Sequence, residues 1–249
     1  MNSNPKKSID ISVDFIKDQF SKAGFKRGII GLSGGLDSAV VAYLAVKALG
    51  KENVEVVKMP YKTSSRESII DANLVIDDLG IKSREVDISN IVDAISKPFP
   101  KISQLRLGNI MARTRMIVLF DLAAETNSIV MGTSNRSELL LGYGTLFGDL
   151  ASIINPIAPF YKSEIFEIGR ELGVPTPLIV KKPSADLWED QSDEDDLGFS
   201  YATADSIMIN GEDKKHISIK EFGEETVNKV LDRVKANSFK FNVPIKLEL

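Results

Sequence analysis

One stretch constrains this chain more than any other: Gly28-Ile29-Ile30-Gly31-Leu32-Ser33-Gly34-Gly35-Leu36-Asp37-Ser38. Its apolar start reads as a strand, and Ala39 to Leu49 beyond it are apolar enough for a buried helix. Between the two, adjacent glycines can adopt backbone angles closed to other residues and carry no side chain, so successive N–H groups can turn inward onto phosphate oxygens. The helix behind the loop adds unpaired N–H groups and the positive end of its dipole. Ser33 and Ser38 offer hydroxyls to further oxygens. Asp37 is the odd member: a carboxylate beside a polyphosphate is repelled unless a divalent cation stands between them, which implies Mg²⁺. A plain strand-turn-helix with a capping residue has no need of Gly-Gly, two serines and an aspartate together.

At 249 residues the chain can form one large α/β domain or two small ones. Its 43% hydrophobic and 27% charged residues are those of an ordinary globular protein. No apolar run reaches the length of a membrane span, and the polar start Met1-Asn2-Ser3-Asn4-Pro5-Lys6-Lys7 is followed by no signal-peptide core, so a cytoplasmic location without membrane partners is expected. With no cysteine there is no disulfide scaffold, thiolate metal site or cysteine nucleophile. A net charge of −4 is not a nucleic-acid footprint.

Taken in order, Ile9, Val13, Ile16 and Phe20 predict an amphipathic helix ending near Gly24. Strands are expected at Gly28 to Leu32, Asn53 to Met59, Ser83 to Ile88 and Ser128 to Met131, with a possible short one at Ser152 to Asn155. Between them, Ser64 or Ser65 can cap a helix running to Gly80, and Gly108 to Glu125 reads as a long helix. A glycine-rich loop, Gly142 to Asp149, precedes a helix from Ser163 to Leu172. The composition changes from Lys181 to Gly198, and the acidic stretch Glu189 to Asp196 within it reads as a solvated loop, with Lys181 to Gly198 suited to act as a lid. The chain is helical from about Tyr201. Strands alternating with helices predict an α/β fold of Rossmann-like three-layer α/β/α type, with a parallel sheet and additional N- and C-terminal helices. Ligands in such sheets sit where the strand order reverses. If the first and fourth strands meet there, Ser33 faces the segment Thr133 to Glu138.

Asp37 and Glu138 are then the metal candidates, one after each flanking strand, and two carboxylates suit an ion that completes its shell with phosphate and water. Thr133, at a strand end, suits a nucleotide or an N-cap. Lys162 can meet a polyphosphate as a point charge. Arg113 and Arg115 lie two apart on the long helix and so occupy different faces. His216, among lysines, reads as a surface residue, and Trp188 as an anchor for the acidic segment.

Ser33-Gly34-Gly35-Leu36-Asp37-Ser38 resembles the signature of the N-type ATP pyrophosphatases, which cleave ATP between its α and β phosphates and transfer AMP to an acceptor. Three further segments, Asn109 to Met116, Gly132 to Glu138 and Lys182 to Trp188, resemble the ammonia-dependent NAD synthetases among them. The resemblance implies ATP on Gly31, Leu32, Ser33, Gly34, Gly35, Leu36, Asp37 and Ser38, with Thr133, Lys162 and Ser184 as further ATP contacts. It also implies Mg²⁺ on Asp37 and Glu138, deamido-NAD on Arg113, and a homodimer with the long helix near the two-fold. The family's C-terminal His-Lys pair stands here as Phe239-Lys240, and a lysine common in the glycine-rich loop as Leu146. Both departures bear on deamido-NAD contact rather than on ATP.

The chemistry so implied is physically coherent. A carboxylate is a poor acyl donor because its leaving group would be oxide. Attack of the nicotinate carboxylate on the α-phosphate of the co-substrate ATP makes AMP the leaving group and releases pyrophosphate, and ammonia then displaces AMP. Asp37, Glu138 and Lys162 would carry that step by alignment and charge neutralisation. One synthetase domain over residues 1–249 leaves no room for a glutaminase, so ammonia is expected free or from another chain such as a separate glutaminase. The alternatives are another adenylating amidotransferase domain, such as the synthetase part of GMP synthesis, and a non-catalytic nucleotide-binding regulator.

Overall fold

The computed structural model describes residues 4–188, 191–241, 243 and 247. The first predicted helix is α1 (Pro5–Ala23): the Asn4 side chain accepts the Lys6 N–H, Pro5 occupies a position needing no N–H, and Gly24 closes the helix at φ 74°. Then follow β1 (Arg27–Gly31), α2 (Leu36–Leu49), β2 (Val54–Lys58), α3 (Arg66–Leu79), β3 (Lys82–Glu85), α4 (Ser89–Ser96), α5 (Gln104–Thr126) and β4 (Ser128–Val130). Ser65 caps α3 by accepting the Ser68 N–H. Beyond the sheet come α6 (Arg136–Leu141), α7 (Lys162–Leu172), α8 (Thr176–Val180), α9 (Asp193–Leu197), α10 (Tyr201–Asn210), α11 (Lys215–Phe222) and α12 (Glu224–Asn237).

All four strands are parallel, in the order β3-β2-β1-β4. The chain builds outward from β1 and then returns to its other side, so the order reverses between β1 and β4, as expected. Neighbouring strand residues feed opposite cores. Ile30, Val56 and Ile129 pack with α1, α2 and α7, whereas Ile29, Val57 and Val130 pack with α4 and α5. Burying each of these side chains contributes roughly 1.5–3 kcal/mol, and helices on both faces are what an all-parallel sheet requires. A third cluster joins α6, α9, α10 and α12 through Leu141, Leu197, Tyr201, Ile207 and Val230.

The expected strand at Ser152 to Asn155 is a correction: only one parallel bridge forms, between Met131 and Ile154. Pro156 follows immediately and has no N–H to extend a ladder. The described end of the predicted acidic loop, 193–196, is helical rather than a solvated loop. It lies in α9, and Asp193 and Leu197 are buried because α10 and α12 pack over them. Glu189 and Asp190 of the predicted acidic loop lie outside the described residues.

The Gly34-Gly35 loop is pressed against α3. Gly34 has φ 79°, and a Cβ there would lie 2.1 Å from the Ser68 carbonyl oxygen. Gly24 has a similar φ of 74° but open space around it. Gly24→Ala should therefore cost about 1 kcal/mol from backbone strain alone, and Gly34→Ala about 3 kcal/mol or more because rigid backbone blocks it. Urea midpoints of the two variants measure the difference.

Candidate active site

Gly31 to Ser38, Thr133, Glu138, Lys162 and Ser184 all line one crevice of about 920 Å³ beyond the carboxyl ends of β1 and β4. Local hydrogen bonds shape the loop at its floor. Ser38 Oγ donates to the Gly35 carbonyl at 3.0 Å and lies 3.1 Å from Ser33 Oγ, while Gly35 N–H donates to Ser33 Oγ at 3.2 Å. The two hydroxyls thus pin the turn that carries the glycines.

Three helix starts converge on this floor. Asp37 lies in the first turn of α2 and Glu138 in the first turn of α6, while Lys162 opens α7. Lys162 Nζ is buried and bonds Asp37 Oδ2, with Glu138 Oε1 at 3.3 Å. A helix start favours anions, so the two carboxylates sit well there and the lysine does not; its neighbours supply the compensation. Glu138 is held by a capping box: Asn135 Oδ1 accepts the Glu138 N–H at 3.0 Å, and Glu138 Oε2 accepts the Asn135 N–H at 3.2 Å. The Asn135 Nδ2 group donates to Asp37 Oδ1 at 2.8 Å, joining the β4 side of the crevice to the β1 side.

The charge balance is uneven, since Lys162 faces Asp37 and Glu138 with Asp193 nearby. Burial and the Asp37 charge push Glu138 up to about 8, against the pull of Lys162. Burial alone would lower Lys162, yet Asp37 and Glu138 hold its ammonium form above the ordinary range. Behind this layer, the buried Asp205 carboxylate accepts from Ser137 Oγ, and from Ser163 N–H and Oγ at 3.0 and 2.8 Å. It thereby ties α10 to the starts of α6 and α7.

The two arginines of α5 separate as their spacing predicts. Arg115 lines the crevice and donates through Nε to the Met59 carbonyl at 3.1 Å. Arg113 is exposed, with Nε on the Leu146 carbonyl at 3.1 Å, and borders a small apolar recess with Ile117, Phe120 and Phe147. Lys240 holds the glycine-rich loop, donating to the carbonyls of Gly142 and Gly144 at 2.6 and 3.2 Å, while Phe239 is exposed. Exposed His216 takes no part, and Trp188 lines the crevice. Sequence reasoning missed Asn135, Asp193, Tyr201 and Asp205. Of these, only Asn135 carried a readable signal, the capping spacing Asn135 to Glu138.

Residues 8–244 match the family described as NAD synthase. Among curated relatives, the NH(3)-dependent NAD(+) synthetase of Chlorobium phaeovibrioides is 50% identical over 95% of this chain and 87% of its own length. The solved NH3-dependent NAD synthetase of Campylobacter jejuni superposes with TM-score 0.85 at 35% identity, covering 99% of this chain and 100% of the other. The NMN synthetase of Francisella tularensis superposes with TM-score 0.90 at 30% identity over 100% of both chains.

A raised Glu138 pKa means that folding takes up a proton, so the metal-free protein should lose stability as pH rises from about 4.5 through about 8. Glu138→Gln removes that ionisation. Its melting temperature should be flatter across the window and exceed that of the unsubstituted chain by a few degrees at the alkaline end, as thermal melts in chelator would measure.

Proposed function

The chain belongs to the NAD synthase family, and from that premise we propose that it amidates deamido-NAD to NAD with ammonia, through an adenylated intermediate and with release of AMP and pyrophosphate. ATP is the co-substrate. The observation that carries this reading is the meeting of Asp37, Glu138 and Lys162 beside the Gly34-Gly35 loop, where two carboxylates and an ammonium share one buried point. An ammonium group between carboxylates can neutralise a polyphosphate only if those carboxylates gain another cation.

The donor set fits Mg²⁺. Hard anionic oxygens from Asp37 and Glu138 converge, and among the described residues no group of three or more His, Cys, Asp or Glu forms an all-protein cage. That suits an ion sharing its shell with phosphate and water. Bound by Asp37 and Glu138, it would supply charge neutralisation at the phosphates. Gly31 to Ser38 hold those phosphates through N–H groups and the serine hydroxyls, and Thr133 and Ser184 hold the remainder of ATP. Lys162 then stabilises the charge that develops as the nicotinate carboxylate oxygen attacks the α-phosphorus and pyrophosphate departs.

Arg113 meets deamido-NAD at the interface of a homodimer. The support is an apolar face beside it, where Ile117 and Phe147 are each 64% and Phe120 37% exposed; a second copy would cover it. One synthetase domain over residues 1–249 works in the cytoplasm on free ammonia or on ammonia from a separate glutaminase. Among the described residues no helix is long and apolar enough to cross a membrane. A second reading takes nicotinate mononucleotide as acceptor, favoured by the likeness to the Francisella tularensis NMN synthetase.

Incubation with ATP, Mg²⁺, ammonium and each acceptor in turn, with xanthosine monophosphate as the control for the synthetase part of GMP synthesis, should give AMP, pyrophosphate and NAD from deamido-NAD. Dominant turnover of the mononucleotide would transfer the assignment to the second reading, and no product from any acceptor would leave a nucleotide-binding regulator. Asp37→Asn should keep the fold and lower turnover by about a hundredfold or more. Arg113→Ala should raise the KM for deamido-NAD by about tenfold and leave that for ATP unchanged.

A further inference from the structure

A helix leaves its first N–H groups without partners of its own, and the residue just ahead of it usually supplies the cap. At α7 two of the caps come from other elements. The Lys162 N–H donates to Ser137 Oγ of α6 at 2.8 Å, and the Ser163 N–H donates to Asp205 Oδ2 of α10 at 3.0 Å. Ser163 Oγ donates to the same oxygen at 2.8 Å, and Ser137 Oγ donates to Asp205 Oδ1. Ser137 Oγ takes the Lys162 N–H and passes its own proton to Asp205, so each donor in the network points toward one carboxylate. Ser137 is fully buried and Asp205 is 1% exposed.

Packing does not require an acid here. Ala204 and Ile207 already bury α10 in the third cluster, and an apolar side chain at 205 would avoid the desolvation of a carboxylate. What the acid adds is a fixed junction. Tyr201 and Asp205 are four residues apart and so share one face of α10. From that face the Tyr201 ring meets the Lys162 ammonium, with Nζ 5.3 Å from its centroid, while Asp205 holds the Lys162 backbone through Ser137. Lys162 is thus gripped at both ends. Ser137 also directly precedes Glu138, so the same junction sets the spacing of the charged groups on the crevice floor. We propose that Asp205 is a positioning residue for adenylation: from behind the crevice wall, it fixes Lys162 where charge develops as pyrophosphate departs. This rests on the adenylating reading above and deepens it.

A group that acts through position affects rate more than binding. Loop N–H groups and serine hydroxyls hold the phosphates before reaction, whereas Lys162 matters most as charge moves onto the departing pyrophosphate. A small shift of the α7 start therefore lowers turnover and leaves ATP affinity in place. The hydrogen-bond directions say which substitutions shift it. In Asp205→Asn the amide oxygen still accepts from Ser163, but the amide NH₂ meets Ser137 Oγ, which already accepts the Lys162 N–H, and the Ser137 hydroxyl proton loses its acceptor. Asp205→Ala removes both arms of the junction.

The test reads adenylation in the full chain as exchange of labelled pyrophosphate into ATP, with deamido-NAD or the mononucleotide as acceptor, whichever supports it, beside equilibrium binding of ATP in the presence of Mg²⁺. Asp205→Asn should lower kcat for exchange about tenfold and Asp205→Ala about a hundredfold, with the KM for ATP within about twofold and the number of ATP sites per chain unchanged. Ser137→Ala, which removes the acceptor of the Lys162 N–H, should reproduce the loss of about tenfold, and it carries the test should the Asp205 variants fail to fold. Ser137→Ala and Asp205→Asn combined should lose little more than either alone, because both act on one junction. Fully additive losses, unchanged exchange in a folded variant, a KM for ATP that rises as kcat falls, or fewer ATP sites per chain would overturn the positioning role. Failure of all three single variants to fold would overturn it too, since the network would then serve folding alone. Absence of exchange in the unsubstituted protein would overturn the adenylating reading itself, and the positioning role with it.

Discussion

The Lys162 ammonium between Asp37 and Glu138 is the interaction on which the crevice depends. It brings the starts of α2, α6 and α7 to one point, although those helices begin far apart in the chain. Removing Lys162 would cost about 3–5 kcal/mol, because Asp37 and Glu138 would then stay buried without a counter-charge. The same arrangement is poor as a stability device. Burial, and then the second carboxylate at Asp37, leave Glu138 with a raised pKa despite Lys162, so two carboxylates share one ammonium.

Much of the surrounding structure maintains this imbalance. The Asn135 capping box orients Glu138 while its amide reaches Asp37, and Asp205 anchors the starts of α6 and α7 from behind. Rigid support matters because electrostatic stabilisation is strongest where groups need not reorganise during reaction. The C-terminal helices serve the same end. Packing of Tyr201 and Ile207 against Leu197 and Val230 holds α9 beside the crevice and carries Asp193 into its lining.

The parallel sheet was legible because β1, β2 and β4 are short apolar runs between turn signals, whereas β3 is Lys82-Ser83-Arg84-Glu85, and because helices such as α1 and α3 carry caps at Asn4, Ser65, Gly24 and Gly80. Strand ends differed by a residue or more, since Leu32 still donates to the Val57 carbonyl at 2.9 Å but lies beyond the last β1 residue. Ser152 to Asn155 has the composition of a strand and lacks a continuing partner, which is a property of Pro156 and of the sheet's edge rather than of the run itself. At the site, Asp37 and Glu138 were legible as carboxylates just after strands, Lys162 as a charge ahead of an apolar helix, and Arg113 and Arg115 as residues on different faces. Which arginine meets the crevice depends on how α5 lies against β1 and β4, and spacing carries no information about that.

By itself, then, the sequence determined a glycine-rich strand-to-helix loop on a parallel α/β sheet and carboxylates just after two of its strands, because local periodicity, glycine placement and caps act over a few residues. Tertiary structure alone decided that Lys162 bridges Asp37 and Glu138, that Arg115 rather than Arg113 lines the crevice, and that Asp193 is buried with an unpartnered oxygen. Each of these depends on burial and on distances between elements remote in the chain. Those quantities arise only when helices pack, since an acidic run such as 193–196 looks the same in sequence whether water or two tyrosines surround its first member.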